Sequence, residues 1–169
     1  MKVHIFSQDA CLRYQPDAQG KTVLIRVKDP NDDFPLHPHQ DRFSDTLHLA
    51  FHDLTQDDAD RMFPIQVNLF QDFHAQALLT FFQTHQDADT FVIHCHAGVS
   101  RSAAVGICLA RFLRQPDFES HILTCGNYLP NPTVVDRFTS VLTQLPLYQS
   151  MDFSPLTLPD IPDHVEIKW

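Results

Sequence analysis

The sequence has no long apolar run and few basic residues. None of its apolar stretches approaches the roughly 18 residues of a membrane-spanning helix, and its first residues are not typical of a signal peptide. Lys and Arg number 12 against 21 Asp and Glu, which leaves a formal net charge of −9. Because binding to nucleic acids and to anionic membranes depends on Lys and Arg, we expect neither partner.

Cysteine is also sparse, and no Cys-x-x-Cys spacing occurs. The four residues are Cys11, Cys95, Cys108 and Cys125. A chain of 169 residues can bury a hydrophobic core without disulfides. We therefore expect free thiols in a reducing compartment, which favours the cytoplasm.

Histidine is frequent, with eleven residues, but its spacing does not predict a metal centre. The two clusters are His37-Pro38-His39 and His94-Cys95-His96, and neither has a recognised ligand spacing. We expect no metal and no cofactor. We also expect His37 and His39 to be exposed in a loop.

The periodicity of apolar residues predicts strands that alternate with helices. The predicted strands cover residues 2–6, 22–27, 46–51 and 91–93, the last of them buried. The predicted helices cover residues 65–83, 102–113, 118–125 and 133–145, and residues 28–45 and 53–64 are predicted loops. This order predicts the α/β class, with a central, mostly parallel sheet flanked by helices. We expect one domain over residues 1–150 and a Pro-rich tail, residues 151–169, on its surface.

A loop that could bind phosphate lies between the buried strand 91–93 and the apolar helix 102–113. Its sequence is His94-Cys95-His96-Ala97-Gly98-Val99-Ser100-Arg101-Ser102. A loop that enters a helix N-terminus directs several backbone N–H groups at one point, where the helix dipole adds partial positive charge. Gly98 permits a positive φ and close approach to an oxyanion. The predicted phosphate contacts are the backbone N–H groups of His96, Ala97, Gly98, Val99 and Ser100 and the side chain of Arg101.

Four side chains of this segment have predicted roles. Cys95 is the candidate nucleophile, since helix N-termini and nearby cations favour a thiolate. The planar guanidinium of Arg101 suits bidentate contact with two phosphate oxygens. Ser102 can donate its hydroxyl to the sulfur, and His94 would hold the loop through its ring nitrogens. An isolated Cys and Arg would more often be a buried thiol and a solvated cation, but five specified positions between strand and helix favour a site.

The stretch from Val92 to Ser102 resembles the signature of the protein tyrosine phosphatase superfamily. The short chain resembles the dual-specificity branch, in particular small bacterial tyrosine-phosphatase-like proteins, roughly over residues 45–140. The resemblance implies the cysteine-phosphatase fold and a phosphocysteine intermediate. It also implies a phosphorylated protein or a small phosphomonoester as substrate. The variable loop positions carry no Lys or Arg, which favours phosphotyrosine, with or without phosphoserine and phosphothreonine, over inositol phosphates.

The resemblance further implies an upstream Asp that acts first as general acid and then as base. Asp53 directly follows a predicted strand and fits this description. It precedes Cys95 by 42 residues, whereas relatives usually place the acid a little over thirty residues away. Asp57, Asp58 and Asp60 are nearer that spacing and remain alternatives.

Two other classes of protein remain open at this stage. Only the unusually long separation of Asp53 from Cys95 favours a catalytically weak phosphate-binding module. A rhodanese-like or arsenate-reducing enzyme can share the Cys-x5-Arg loop, but Gly98, Ser102 and the upstream Asp-bearing strand favour the phosphatase. Asn131, which precedes Pro132, is interpreted as a plain helix cap.

Overall fold

A computed structural model describes residues 1–153 and residue 156. Its sheet has four strands, all parallel, in the order β1-β4-β2-β3. The strands are β1 (Lys2–Ser7), β2 (Thr22–Lys28), β3 (Asp45–Ala50) and β4 (Thr90–Cys95). The predicted α/β class and all four predicted strands are confirmed. Because β4 pairs on both sides, its carboxyl end lies in the middle of one edge of the sheet, where α/β proteins bind ligands.

Six α-helices surround this sheet. They are α1 (Gln8–Arg13), α2 (Gln56–Met62), α3 (Asp72–Thr84), α4 (Arg101–Leu113), α5 (Pro116–Thr124) and α6 (Pro132–Leu142). Helix α4 packs on β4 and β1, between α5 and α6, and nearly all of its residues are buried. In the described part of the chain, no helix has the length and apolar character needed to cross a membrane.

The region between β3 and α3 differs from its prediction. Residues 53–64 are not simply a loop, because α2 forms there with a capping box between Thr55 and Asp58. The helix predicted from residue 65 begins only at Asp72. The intervening segment instead makes a backbone bond to His52, whose N–H donates to the Asn68 carbonyl over 2.7 Å. Within this segment, Leu69 and Phe70 are buried although they are not helical, whereas Ile65 is exposed.

His37 is also placed differently from its prediction, since it is buried with 2% exposure. Its Nδ1 accepts the His39 N–H (3.0 Å), so its Nε2 carries the proton and donates to the Cys11 carbonyl (2.8 Å). The ring also packs edge-on against Phe43. The expectation that His37 is exposed is wrong, because this loop folds over one face of the sheet; His39 is partly exposed.

The chain after α6 first packs against α4. The Tyr148 hydroxyl donates to the Phe112 carbonyl over 2.7 Å, and the Arg111 guanidinium lies 5.5 Å from the Phe153 ring centre. Most of the predicted tail, residues 154–155 and 157–169, lies outside the described residues. The division into a domain over 1–150 and a tail therefore stays a prediction.

Candidate active site

The candidate nucleophile lies where β4 meets α4. We call residues 95–101 the Cys95 loop. The Cys95 sulfur accepts the Gly98 N–H over 3.2 Å and lies 3.2 Å from the Ser102 hydroxyl oxygen. Gly98 has a φ of 78°, and a Cβ there would lie 2.5 Å from the Ser7 nitrogen. A glycine is therefore required where the Cys95 loop passes the end of β1.

The Arg101 guanidinium is buried beneath the loop and is held on one side. Its Nη1 donates to the Phe51 carbonyl (2.9 Å) and to the Asp29 carboxylate (3.2 Å), and its Nη2 donates to the same carboxylate (3.3 Å). Its Nε has no hydrogen-bond partner among the described residues, and the Asp53 carboxylate lies 3.6 Å away. The Nε edge of the guanidinium thus faces the Asp53 carboxylate without forming a hydrogen bond to it.

Sequence reasoning missed Asp29. It directly follows β2, as Asp53 follows β3 closely, so both carboxylates lie at the carboxyl edge of the sheet. A polar residue at the end of a buried strand in an α/β sheet indicates a position at this carboxyl edge, where ligands bind. The signal was obscured because residues 28–45 contain several other polar residues.

Asp53 lies against the Cys95 loop. One of its oxygens accepts the Ser100 hydroxyl (2.7 Å) and the Asn131 side-chain amide (2.9 Å). Asn131 also caps α6, with its Oδ1 accepting the Val134 N–H over 3.4 Å. The interpretation of Asn131 as a cap is confirmed, and Asn131 also contacts the Asp53 carboxylate.

The alternative acids lie on α2. The Asp58 carboxylate accepts the Thr55 N–H over 2.9 Å, and hydrogen bonds from Thr55 lower the pKa of this carboxyl. Asp60 accepts the Gln56 amide over 2.9 Å, and Asp57 is exposed in the first turn. The structure therefore brings Asp53 to Arg101, whereas the hydrogen bonds of Asp58 and Asp60 are made within or next to α2.

His94 lies behind the loop and is buried. Its Nε2 accepts the Arg26 Nε–H over 3.1 Å, and its Nδ1 lies 3.3 Å from the Cys95 carbonyl oxygen. Burial lowers the pKa of His94 to about 4, so the ring is neutral near pH 7. This is the loop-holding position that the sequence predicts for His94.

The remaining loop residues differ in their exposure. His96 and Ala97 are exposed, while Val99 and Ser100 are partly buried. Within the described residues, no group of three or more His, Cys, Asp or Glu side chains is placed to hold a metal ion. The arrangement offers a buried thiol that accepts the Gly98 N–H, a fixed guanidinium and a nearby carboxylate, which together suit attack on an oxyanionic centre.

Comparisons with known proteins bear on the fold. No protein-family model matches the chain, and no curated protein matches it. Human DUSP28 is similar, with a TM-score of 0.53 and 15% identity over 85% of this chain and 95% of that chain. PTPMT1 in complex with PI(5)P has a TM-score of 0.53 and 12% identity over 85% and 91%.

A third solved structure is that of the human tyrosine phosphatase-like serine/threonine/tyrosine-interacting protein. Its TM-score is 0.51, with 20% identity over 78% of this chain and 80% of that chain. The molecule thus has the fold of a cysteine phosphatase. Within that class, it is the fold of the dual-specificity-like branch of the protein tyrosine phosphatase superfamily, as the sequence resemblance predicts.

Proposed function

We propose that this chain is a cysteine-dependent phosphomonoester hydrolase that acts through a phosphocysteine intermediate. One observation carries the proposal. The Cys95 sulfur, the Arg101 guanidinium and the Asp53 carboxylate lie around one loop at the N-terminus of α4. Such a set can bind a phosphate, attack it and protonate its leaving group.

In the first step, the Cys95 thiolate attacks phosphorus in line and the bond to the ester oxygen breaks. The N–H groups of the Cys95 loop and Arg101 stabilise the charge on the equatorial oxygens, which is the dominant contribution in phosphoryl transfer. Asp53 gives its proton to the leaving oxygen, so the alcohol or phenol departs neutral.

In the second step, water attacks the phosphocysteine. Asp53, now a carboxylate, takes a proton from the water, and the sulfur–phosphorus bond breaks. The Ser102 hydroxyl, 3.2 Å from the sulfur, donates a hydrogen bond to the departing thiolate. Phosphate leaves, and Cys95 and Asp53 return to their starting states.

The proposed substrate is a phosphotyrosine protein, with or without activity on phosphoserine and phosphothreonine. The exposed loop positions His96 and Ala97 provide no permanent cation for a second phosphate group. PTPMT1 has been seen with PI(5)P, so the lipid alternative is part of the test. The net charge of −9 and the free thiols fit a cytoplasmic protein that acts away from anionic membranes.

The test is hydrolysis of a fluorogenic aryl phosphate between pH 5 and 8 without added metal. Turnover should be sensitive to vanadate and absent in Cys95→Ser. Asp53→Asn should lower kcat by about 10²–10⁴-fold, the usual contribution of a positioned proton donor. Asp57→Asn is the matched control, since it removes an exposed carboxylate of α2, and should leave kcat unchanged. An active Asp53→Asn would move the role of acid to Asp57, Asp58 or Asp60.

A second candidate function is a phosphate-binding module without turnover. The feature that favours it is the spacing of Asp53, which precedes Cys95 by 42 residues. Calorimetry with inorganic phosphate distinguishes the two. Phosphate binding by a wild-type protein that hydrolyses no aryl phosphate, phosphotyrosine peptide or phosphoinositide would reject the hydrolase and leave the module.

A further inference from the structure

Arg26 is a buried cation directly behind the Cys95 loop. It lies opposite His94 in the register of β2 and β4 and is 3% exposed. Its Nε donates to His94 Nε2 (3.1 Å), its Nη2 donates to the Pro35 carbonyl (2.6 Å), and its guanidinium lies 5.0 Å from the Phe34 ring centre. All of these partners are uncharged.

Arg26 has no ion pair within the part of the chain that the structure describes. Burying a cation without an anion is unfavourable, unless a nearby group becomes negative. The Cys11 thiol, which lies near Arg26, does not supply that charge, because burial raises its pKa to about 11. On its other edge, the His94 ring contacts the backbone of Cys95, the candidate nucleophile, with Nδ1 lying 3.3 Å from the Cys95 carbonyl oxygen.

The hydrogen bonds fix the state of the ring between them. An arginine N–H can only donate, so His94 Nε2 must be without a proton. The neutral ring then carries its proton on Nδ1, next to the Cys95 carbonyl oxygen at 3.3 Å. The His94 imidazole therefore contacts Arg26 through Nε2 and the backbone of Cys95 through Nδ1.

The other titratable groups that face His94 add no fixed charge. They are His37, in the loop after β2, and His48, on β3. Loss of hydration lowers the pKa of both rings, so they are neutral near pH 7. Among the described residues, Arg26 is therefore the cation that is hydrogen-bonded to His94.

We propose that Arg26 is a positioning residue of the active site, which orients His94 and, as a buried cation without a carboxylate partner, favours the thiolate of Cys95. The inference rests on the proposed role of Cys95 as nucleophile. It does not require turnover, since the thiolate can be measured by alkylation.

The experiment follows iodoacetamide alkylation of Cys95 against pH by mass spectrometry of the labelled peptide. Arg26→Gln keeps an N–H donor for His94 and removes the charge, and Arg26→Lys keeps the charge. Lys28→Gln is the matched control. Lys28 also lies over the Phe34 ring, at 4.5 Å, and within the described residues it forms no hydrogen bond with His94. We expect the midpoint of the pH dependence of Cys95 alkylation to rise by about one pH unit in Arg26→Gln. It should rise by less in Arg26→Lys and not at all in Lys28→Gln.

An unchanged midpoint in a folded Arg26→Gln, or an equal rise in Lys28→Gln, would overturn the inference. If Arg26→Gln does not fold, ¹⁵N NMR of the wild type decides instead. The inference expects a neutral His94 with its proton on Nδ1 at pH 6, and a proton on Nε2 would overturn it. A wild type without phosphatase activity whose midpoint still responds to Arg26→Gln would reject the proposed function while supporting this inference.

Discussion

Gly98→Ala should disable the Cys95 loop, and the structure allows its effect to be separated into two parts. Gly98 and Gly126 have the same φ of 78°. A Cβ on Gly98 would lie 2.5 Å from the Ser7 nitrogen and 2.7 Å from the Phe6 carbonyl carbon, whereas a Cβ on Gly126 would have nothing within 4 Å. The two substitutions therefore share the backbone strain and differ in the steric clash.

The strain of a left-handed backbone costs a non-glycine residue about 1–2 kcal/mol. Overpacking adds about 1–3 kcal/mol, and here it acts against the backbone of β1, which is held by its pairing with β4. Gly126→Ala should thus lower the free energy of unfolding by about 1–2 kcal/mol and Gly98→Ala by about 2–5 kcal/mol. A displaced Gly98 would also lose its hydrogen bond to the Cys95 sulfur, and turnover should fall by about 10–100-fold.

Urea unfolding at pH 7 measures the stability of both variants, and hydrolysis of an aryl phosphate measures their function. Gly126→Ala, as the control, should keep wild-type turnover. The steric reasoning would be refuted if Gly98→Ala were no less stable than Gly126→Ala and equally active.

Three further predictions concern groups around the loop. Asn131→Ala should lower kcat about tenfold through the lost bond to Asp53 and the unfolding free energy by about 1 kcal/mol through the lost cap, as kinetics and urea unfolding would show. Ser102→Ala should slow breakdown of the phosphocysteine more than its formation, seen as a larger burst of product in stopped flow. The pKa of His94, about 4, lies below its ordinary value, so its contribution to stability is present above about pH 6.5 and lost toward pH 4. When the pH is lowered from 7 to 4.5, the unfolding free energy of the wild type should therefore fall by about 2–3 kcal/mol more than that of His94→Gln.

The elements that the sequence predicts well are those with local signals. The apolar run at 91–93, the loop residues and the apolar helix after them follow one another without interruption, so the order strand, loop, helix could be deduced from about twenty residues. The ends of β2 and β3 were predicted within one or two residues for the same reason. The amphipathic pattern before α3 led to a helix start that was predicted too early, because apolar residues outside a helix can also have helical spacing.

The partners of the candidate site could not be deduced in this way. Asp29 is 72 positions from Arg101, and Arg26 is 68 positions from His94. Such pairs depend on which strands are neighbours, and a single sequence does not specify this. The spacing of Asp53 is another case, since α2 takes up part of the 42 residues before Cys95 and the chain returns to α3 afterwards. Distance along the chain was therefore a poor measure of distance to the loop.

The proposed phosphate site is compatible with a net charge of −9, because the charges that act on it are local. Screening limits the influence of distant surface carboxylates to about 8–10 Å at physiological salt. Within the site, the N-terminus of α4, Arg101 and Arg26 contribute positive charge, and the Asp29 and Asp53 carboxylates lie on two edges of the Arg101 guanidinium. Because these dipoles and charges are fixed before a substrate arrives, the field at the loop is independent of the overall composition. The composition that argues against nucleic-acid and membrane partners thus places no restriction on a phosphomonoester.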